Sequence, residues 1–191
     1  MIEQGNLPTQ RVNISTQKML GGIGYILVLL PIPLIWIFLN IAGFILVLIS
    51  MYQLSNILGK PAIFQKALIG TILVLAGILI AFAFGLMALI PLFVSPKNET
   101  GAILGLGLGV VFAIIVAYAT LVVGLYFYKE AYYILAQATA QNLFKIGGLL
   151  LFIGAITTIL FGLGLLLIIV GYIVLAVAFF KAPNEVEVQG A

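Results

Sequence analysis

The chain has no cysteine, no histidine and no aspartate. Without thiols there is no disulfide framework and no thiolate metal site. Without imidazole there is no histidine-ligated metal or haem and no histidine-based triad. An absence of cysteine also leaves the redox compartment unread. Charge is nearly as scarce, at 7% of 191 residues, where a soluble domain carries about 25%. The five acids, Glu3, Glu99, Glu130, Glu185 and Glu187, all fall outside the long apolar runs. The eight basic residues stand singly between apolar blocks, so no solvated basic face forms and no nucleic-acid partner is expected.

What the chain has is apolar length. It is 64% hydrophobic with a mean hydropathy of +1.34. So few charges cannot coat a globule in water. The expected class is an all-α polytopic integral membrane protein, one transmembrane domain over residues 1–191, with membrane lipids around it.

Residues 1–13 read as a retained polar tail, because the apolar run that follows continues to Leu54 with no small-x-small cleavage site. Met19 to Leu54 is too long for one span of about 20 residues, and Pro31-Ile32-Pro33 is the natural break. One kinked helix is the alternative. A polar link ending in Gly59 and Pro61 precedes a third run, and SPKNETGA precedes a fourth. Lys129 to Lys145, rich in tyrosine and charge, reads as an interfacial aromatic elbow. The last apolar run breaks best at Gly162-Leu163-Gly164. The result is six transmembrane helices in three hairpins, at about 14–31, 34–54, 67–91, 102–128, 142–160 and 164–181, with a second polar tail at 182–191.

Two ladders of small residues suggest where helices meet. Gly101, Gly105, Gly109, Ala113 and Ala117 recur every fourth residue, and Gly77, Ala81 and Gly85 do the same in the preceding run. On a helix that spacing lines one face and lets backbones approach. GLGLG at 105–109 lacks the spacing and setting of a dinucleotide loop.

Six spans place Arg11, Lys18, Lys60, Lys66, Lys129, Lys145 and Lys181 on one side and Lys97 on the other. The positive-inside rule then makes the crowded side, with both termini, cytoplasmic, in the plasma membrane. Five spans would break that asymmetry.

Chemistry is thin. Ser50 lacks a base within its helix, no metal ligands gather in the sequence, and no cofactor motif is present, so no enzyme activity is expected. The polar residues of a possible intramembrane site are Asn40, Tyr118 and Thr157, which read more readily as helix glue through interhelical hydrogen bonds.

Lys18-Met-Leu-Gly-Gly echoes Lys145-Ile-Gly-Gly, and the stretch from Gly43 echoes that from Gly171, so the outer hairpins read as copies of each other. STQKMLGGIGYILVLLPIP, ILVLISMYQLSNILGKPAIFQKALIGTILV and FKIGGLLLFIGAITTILFGLGLLLIIVGYIVLAVAFF together resemble a family of prokaryotic integral membrane proteins known only as a domain of unknown function. The resemblance spans most of the chain and implies the membrane architecture, with no functional residues to carry over. The expected role is a non-catalytic subunit of a membrane complex or a homo-oligomer, packed against other transmembrane helices. The alternative is a permease or channel for uncharged solutes or lipids.

Overall fold

The structure, a computed structural model, describes residues 9–31, 33, 35–94, 99–160 and 162–189. In order, the elements are β1 (Thr9–Asn13), α1 (Ser15–Leu29), α2 (Trp36–Ile57), α3 (Ala62–Val94), α4 (Glu99–Thr139), α5 (Asn142–Thr157), α6 (Leu163–Lys181) and β2 (Glu185–Gln189). Contacts divide the chain into two compact units, Met1–Leu68 with Tyr128–Ala191, and Ile69–Phe127.

In the first unit α1 lies antiparallel on α2, and the crossing is made by glycine. A Cβ on Gly24 would sit 2.7 Å from the Gly43 carbonyl oxygen, and one on Gly43 would sit 2.5 Å from the Gly24 carbonyl oxygen. Only residues without a side chain let two backbones touch this closely. α5 and α6 repeat the device with Gly154 and Gly164, each aimed at the other's carbonyl. Gly171, the partner of Gly43 in the sequence echo, rests on Leu151. α1 also packs on α6, where Gly21 and Gly22 admit the rings of Phe179 and Phe180.

α2 stops where the backbone turns left-handed at Gly59, with φ of 61°. The amides of Leu58, Gly59 and Lys60 donate back to Leu54, Asn56 and Ser55 carbonyls, which meets the free acceptors of the last turn. Pro61 then opens α3, whose first residue is Ala62. Between α5 and α6 the chain turns through Gly162, with φ of 77°.

The body of the fold is all-helical as expected, and the polar tails, read in the sequence only as polar extensions, are where one short ladder is added. β1 and β2 pair antiparallel, from Thr9 opposite Gln189 to Asn13 opposite Glu185. The Glu-Val-Glu-Val alternation at 185–188 has the two-residue period of a strand, and two tails held side by side satisfy each other's backbone groups. The Ile14 amide donates to the Asn184 carbonyl at 2.8 Å. The Lys18 ammonium donates to the Ala182 carbonyl at 2.8 Å and to that of Phe180 at 3.4 Å, capping the end of α6.

The aromatic elbow is corrected too. α4 runs on as helix to Thr139 and ends at Ala140, in the left-handed region with φ of 53°. Neither glycine nor proline occurs between Gly124 and Gly147, and Lys, Glu, Ala, Leu and Gln are good helix formers. Nothing local breaks the helix at Lys129.

The second unit is the paired middle of α3 and α4. Gly77 faces Thr120, Gly124 faces the Gly70 carbonyl and Val74, and Phe84 meets Phe112 edge to face at 4.6 Å.

Four helices are long and apolar enough to cross a membrane, over Ile37–Ile57, Ala62–Met87, Gly107–Thr139 and Leu163–Lys181. α1 and α5, at 15 and 16 residues, are shorter. Large apolar side chains stand outward on both units, among them Phe38, Leu79, Leu108 and Ile159, each more than two-thirds exposed. A surface of this kind suggests a membrane protein, since water-soluble monomers rarely expose contiguous apolar area on such a scale.

Candidate functional site

Of the small-residue ladders, the shorter one meets α4 at Gly77, and it does so at Thr120. The Thr120 hydroxyl donates to Val116 and Ala117 carbonyls of its own helix, at 2.8 and 3.0 Å, which turns it away from solvent and fixes its bulk against Gly77. Ala81 is half-buried, and a Cβ on Gly85 would meet nothing within 4 Å. On α4, Gly109 and Ala117 are half-buried and Ala113 is buried. Gly101 and Gly105 belong to α4 by backbone alone, and their surroundings lie outside the described residues, as does Lys97.

The three polar residues fall apart by unit. Asn40, on α2, and Thr157, at the end of α5, belong to the first, Tyr118 to the second. Thr157 donates its hydroxyl to Ile153 and Gly154 carbonyls, at 2.8 and 3.3 Å, so its own helix satisfies it. Asn40 and Tyr118 are each half-buried and engaged with neighbours.

The densest polar and aromatic cluster is elsewhere, inside the first unit. Tyr25 of α1 and Tyr132 of α4 are buried and share a hydrogen bond between their hydroxyls. Around them, Tyr25 lies against Tyr172 and Phe179 at 5.5 and 6.0 Å between ring centres, and Tyr132 against Tyr128 and Phe144, both at 6.2 Å. Phe144 closes the circuit onto Phe179 at 4.8 Å. Gly148 makes room for it, since a Cβ there would press on Tyr132 and on the Lys129 backbone.

As an interfacial elbow, this segment would hold Tyr132 and the adjoining Tyr128 in an aromatic belt. The structure buries both and leaves their neighbours Tyr126 and Tyr133 about 40% exposed. The missed signal is the helical stripe Tyr128, Ala131, Tyr132, Leu135, Ala136 and Thr139, every member buried.

Directly beside that stripe is a charged triad. Glu130 is ion-paired to Lys129 at 3.0 Å and to Lys66 of α3 at 3.6 Å, and all three side chains are between one-quarter and one-third exposed. The expectation that Glu130 falls outside the long apolar runs is corrected by the continuous α4, whose apolar stretch Gly107–Thr139 includes Lys129 and Glu130. One carboxylate between two ammonium groups leaves a net positive charge at a partly dehydrated position. The hydroxyl pair is buried among rings. Chemically the ensemble offers one shared hydrogen bond and one surplus cation. Among the described residues no group of three histidine, cysteine, aspartate or glutamate side chains is placed to hold a metal ion.

A model of the family described as "Protein of unknown function (DUF996)" matches residues 39–173. The chain is also similar to the uncharacterized protein MJ1644 of Methanocaldococcus jannaschii, 32% identical over 182 residues, which cover 93% of this chain and 97% of that one. No solved structure matches. The family match takes in α3 and α4 whole, most of α2, all of α5 and the first half of α6, so the chain belongs to the DUF996 family.

Proposed function

We propose that this protein is a non-catalytic multi-pass subunit of a membrane complex or homo-oligomer, held in the plasma membrane by six crossings in three hairpins. The observation that carries the reading is the contrast between inside and outside. The interior of the first unit is filled by rings and glycine crossings, and no buried side-chain nitrogen or oxygen among the described residues lacks a partner. Among the described residues, exposed Ile, Leu, Phe and Val recur on every long helix. Such a molecule offers surface to lipid and to other transmembrane helices, which pack by shape and small residues. The β1–β2 ladder supports an even number of crossings, because it puts the start of α1 and the end of α6 at one boundary. With Arg11, Lys18 and Lys181 there, the positive-inside rule supports a cytoplasmic position for both ends. α1 and α5, about 22 and 24 Å long, cross a hydrocarbon core of about 30 Å only with their flanking turns and local thinning.

Extraction in a mild detergent followed by native mass spectrometry tests the assignment. Another polypeptide or a second copy bound to the chain is expected, and a uniform monomer from the native membrane overturns it. The second reading, a permease for uncharged solutes or lipids, draws on one observation. α1 and α5 are short helices in echoing positions of the two outer hairpins, and shortened segments in matched halves mark substrate sites in carriers. Solute flux into proteoliposomes separates the two.

A further inference from the structure

We propose that the α1–α2 hairpin thins the bilayer beside it and takes phospholipids with short acyl chains as its lipid neighbours. The inference rests on the chain being embedded in a bilayer, and it stands or falls separately from the subunit role.

The foot of the hairpin fixes where its apolar face begins. The Ser50 hydroxyl of α2 donates to the Gln17 carbonyl of α1 at 2.7 Å, so these two positions share one level. Polar side chains start there on both helices, Gln17 and Lys18 on α1, Ser50, Tyr52 and Gln53 on α2. A lysine at the end of a short helix usually stretches its head outward to reach water. Lys18 is not free to do so, because Ala182 and Phe180 carbonyls hold its ammonium at 2.8 and 3.4 Å.

From that level the exposed apolar side chains run a short way. On α1 they go from Met19 through Ile23 and Ile26 to Leu30, and on α2 from Ile49 through Ile45 and Ile41 to Ile37. Eleven and twelve residues of helix rise about 17 and 18 Å. The two helices therefore give one height independently. The Gly24–Gly43 crossing presses their backbones together, so neither slides along the other to lengthen the face. With about 5 Å more for the turn, roughly one helical pitch, the face reaches about 23 Å against a hydrocarbon core of about 30 Å. Residue type marks the far interface at the same place, since α2 opens with Trp36 and tryptophan favours the headgroup level.

The other unit is built to a different height. On α3 the exposed apolar side chains run from Ile69 to Leu89, twenty residues, or about 30 Å. A bilayer that suits this helix is about 7 Å too thick for the α1–α2 hairpin. Tilting a helix shortens its reach, so tilt only widens the gap. Thinning closes it, and lipids with short chains thin without being compressed.

The test uses the full chain reconstituted in equal dimyristoleoyl and dioleoyl phosphatidylcholine, which share a headgroup and differ in acyl length. Native mass spectrometry reads the lipid retained on the chain. Wild type is expected to keep the short-chain lipid about three-fold over the long one. One helical turn of four leucines inserted in each helix beyond the crossing, after Leu27 and after Phe38, adds about 6 Å and should bring retention to parity. A folded insertion variant that keeps the wild-type preference overturns the proposal. A second measurement needs no insertion. The chain has no cysteine, so Ile35→Cys carries a single nitroxide, whose depth follows from its accessibility to oxygen and to a water-soluble nickel chelate. In dioleoyl bilayers that label is expected at the headgroup level. A label deep in hydrocarbon, or equal retention of the two lipids by wild type, overturns the thinning. Short-chain lipid kept selectively by a monomer supports it and overturns the subunit role, and equal retention on an oligomer does the reverse, so the two failures are distinguishable.

Discussion

Tyr25 and Tyr132 are each polar at a single atom, and each spends that atom on the other. Tyr25→Phe leaves the Tyr132 hydroxyl buried without its partner, which costs about 1–2 kcal/mol. Tyr25→Phe with Tyr132→Phe together removes both ends of the bond, and should cost less than the sum of the single changes. Equilibrium unfolding in mixed detergent micelles measures both, and strict additivity would show the hydroxyls to be independent. Glu130 is a second residue-scale test. Glu130→Gln leaves Lys66 and Lys129 side by side without their shared carboxylate. The three groups are partly hydrated, so the expected loss is modest, about 1 kcal/mol in the same assay, and it should shrink as salt is raised. A loss that does not respond to salt would place the effect in packing instead.

Between elements, glycine decides which helices touch. The small residues recurring every fourth position were visible in the sequence, but that spacing says only that a face is smooth. It does not say what lies against it. The structure separates Gly77, pressed on Thr120, from Gly85, which has open space. Gly77→Leu should therefore destabilise by about 1–3 kcal/mol through overpacking. Gly85→Leu should fall within about 0.5 kcal/mol of wild type. Gly24→Leu is expected to match Gly77→Leu or exceed it, because what it strikes is the Gly43 backbone and not a movable side chain. Thermal stability in one detergent ranks all three, and a Gly85→Leu loss as large as that of Gly77→Leu would rule out this picture of the ladder. The continuation of α4 past Lys129 belongs to the same scale. Charge and tyrosine there resembled an interfacial bend, yet helix propensity was unbroken, and the inward stripe from Tyr128 to Thr139 supplied burial that keeps the backbone helical.

At the scale of the molecule, the first and last segments are tied to each other. The Arg11 guanidinium sits 3.5 Å from the Glu187 carboxylate, opposite it in the ladder. Both are well exposed, so the pair itself adds little, and the strand hydrogen bonds with the Lys18 cap carry the closure. Since the chain has no native cysteine, a double variant gives a clean readout. Arg11→Cys with Glu187→Cys should form an intramolecular disulfide on mild oxidation in the membrane, detected as a mobility shift reversed by reductant. Facing residues of an antiparallel pair have Cα atoms about 4.5–5.5 Å apart, within disulfide reach. No cross-link under any oxidant, with each single cysteine labelled from a different side, would place the two ends across the bilayer from one another.

Composition by itself pointed to the class. A chain this poor in charge and this rich in apolar runs suggests a membrane protein and cannot assemble histidine- or thiol-based chemistry, because both readings depend on which atoms are present and not on where they lie. Helix positions were legible for a related reason, since prolines and glycines at 31, 33, 59, 61 and 162 act on their own backbone. Only the tertiary structure decided the rest. It paired the tails, buried Tyr25 with Tyr132, and brought Lys66 to Glu130 across two helices. Each of these joins residues far apart in the chain, where identity at one position carries no information about its neighbour until the helices have packed.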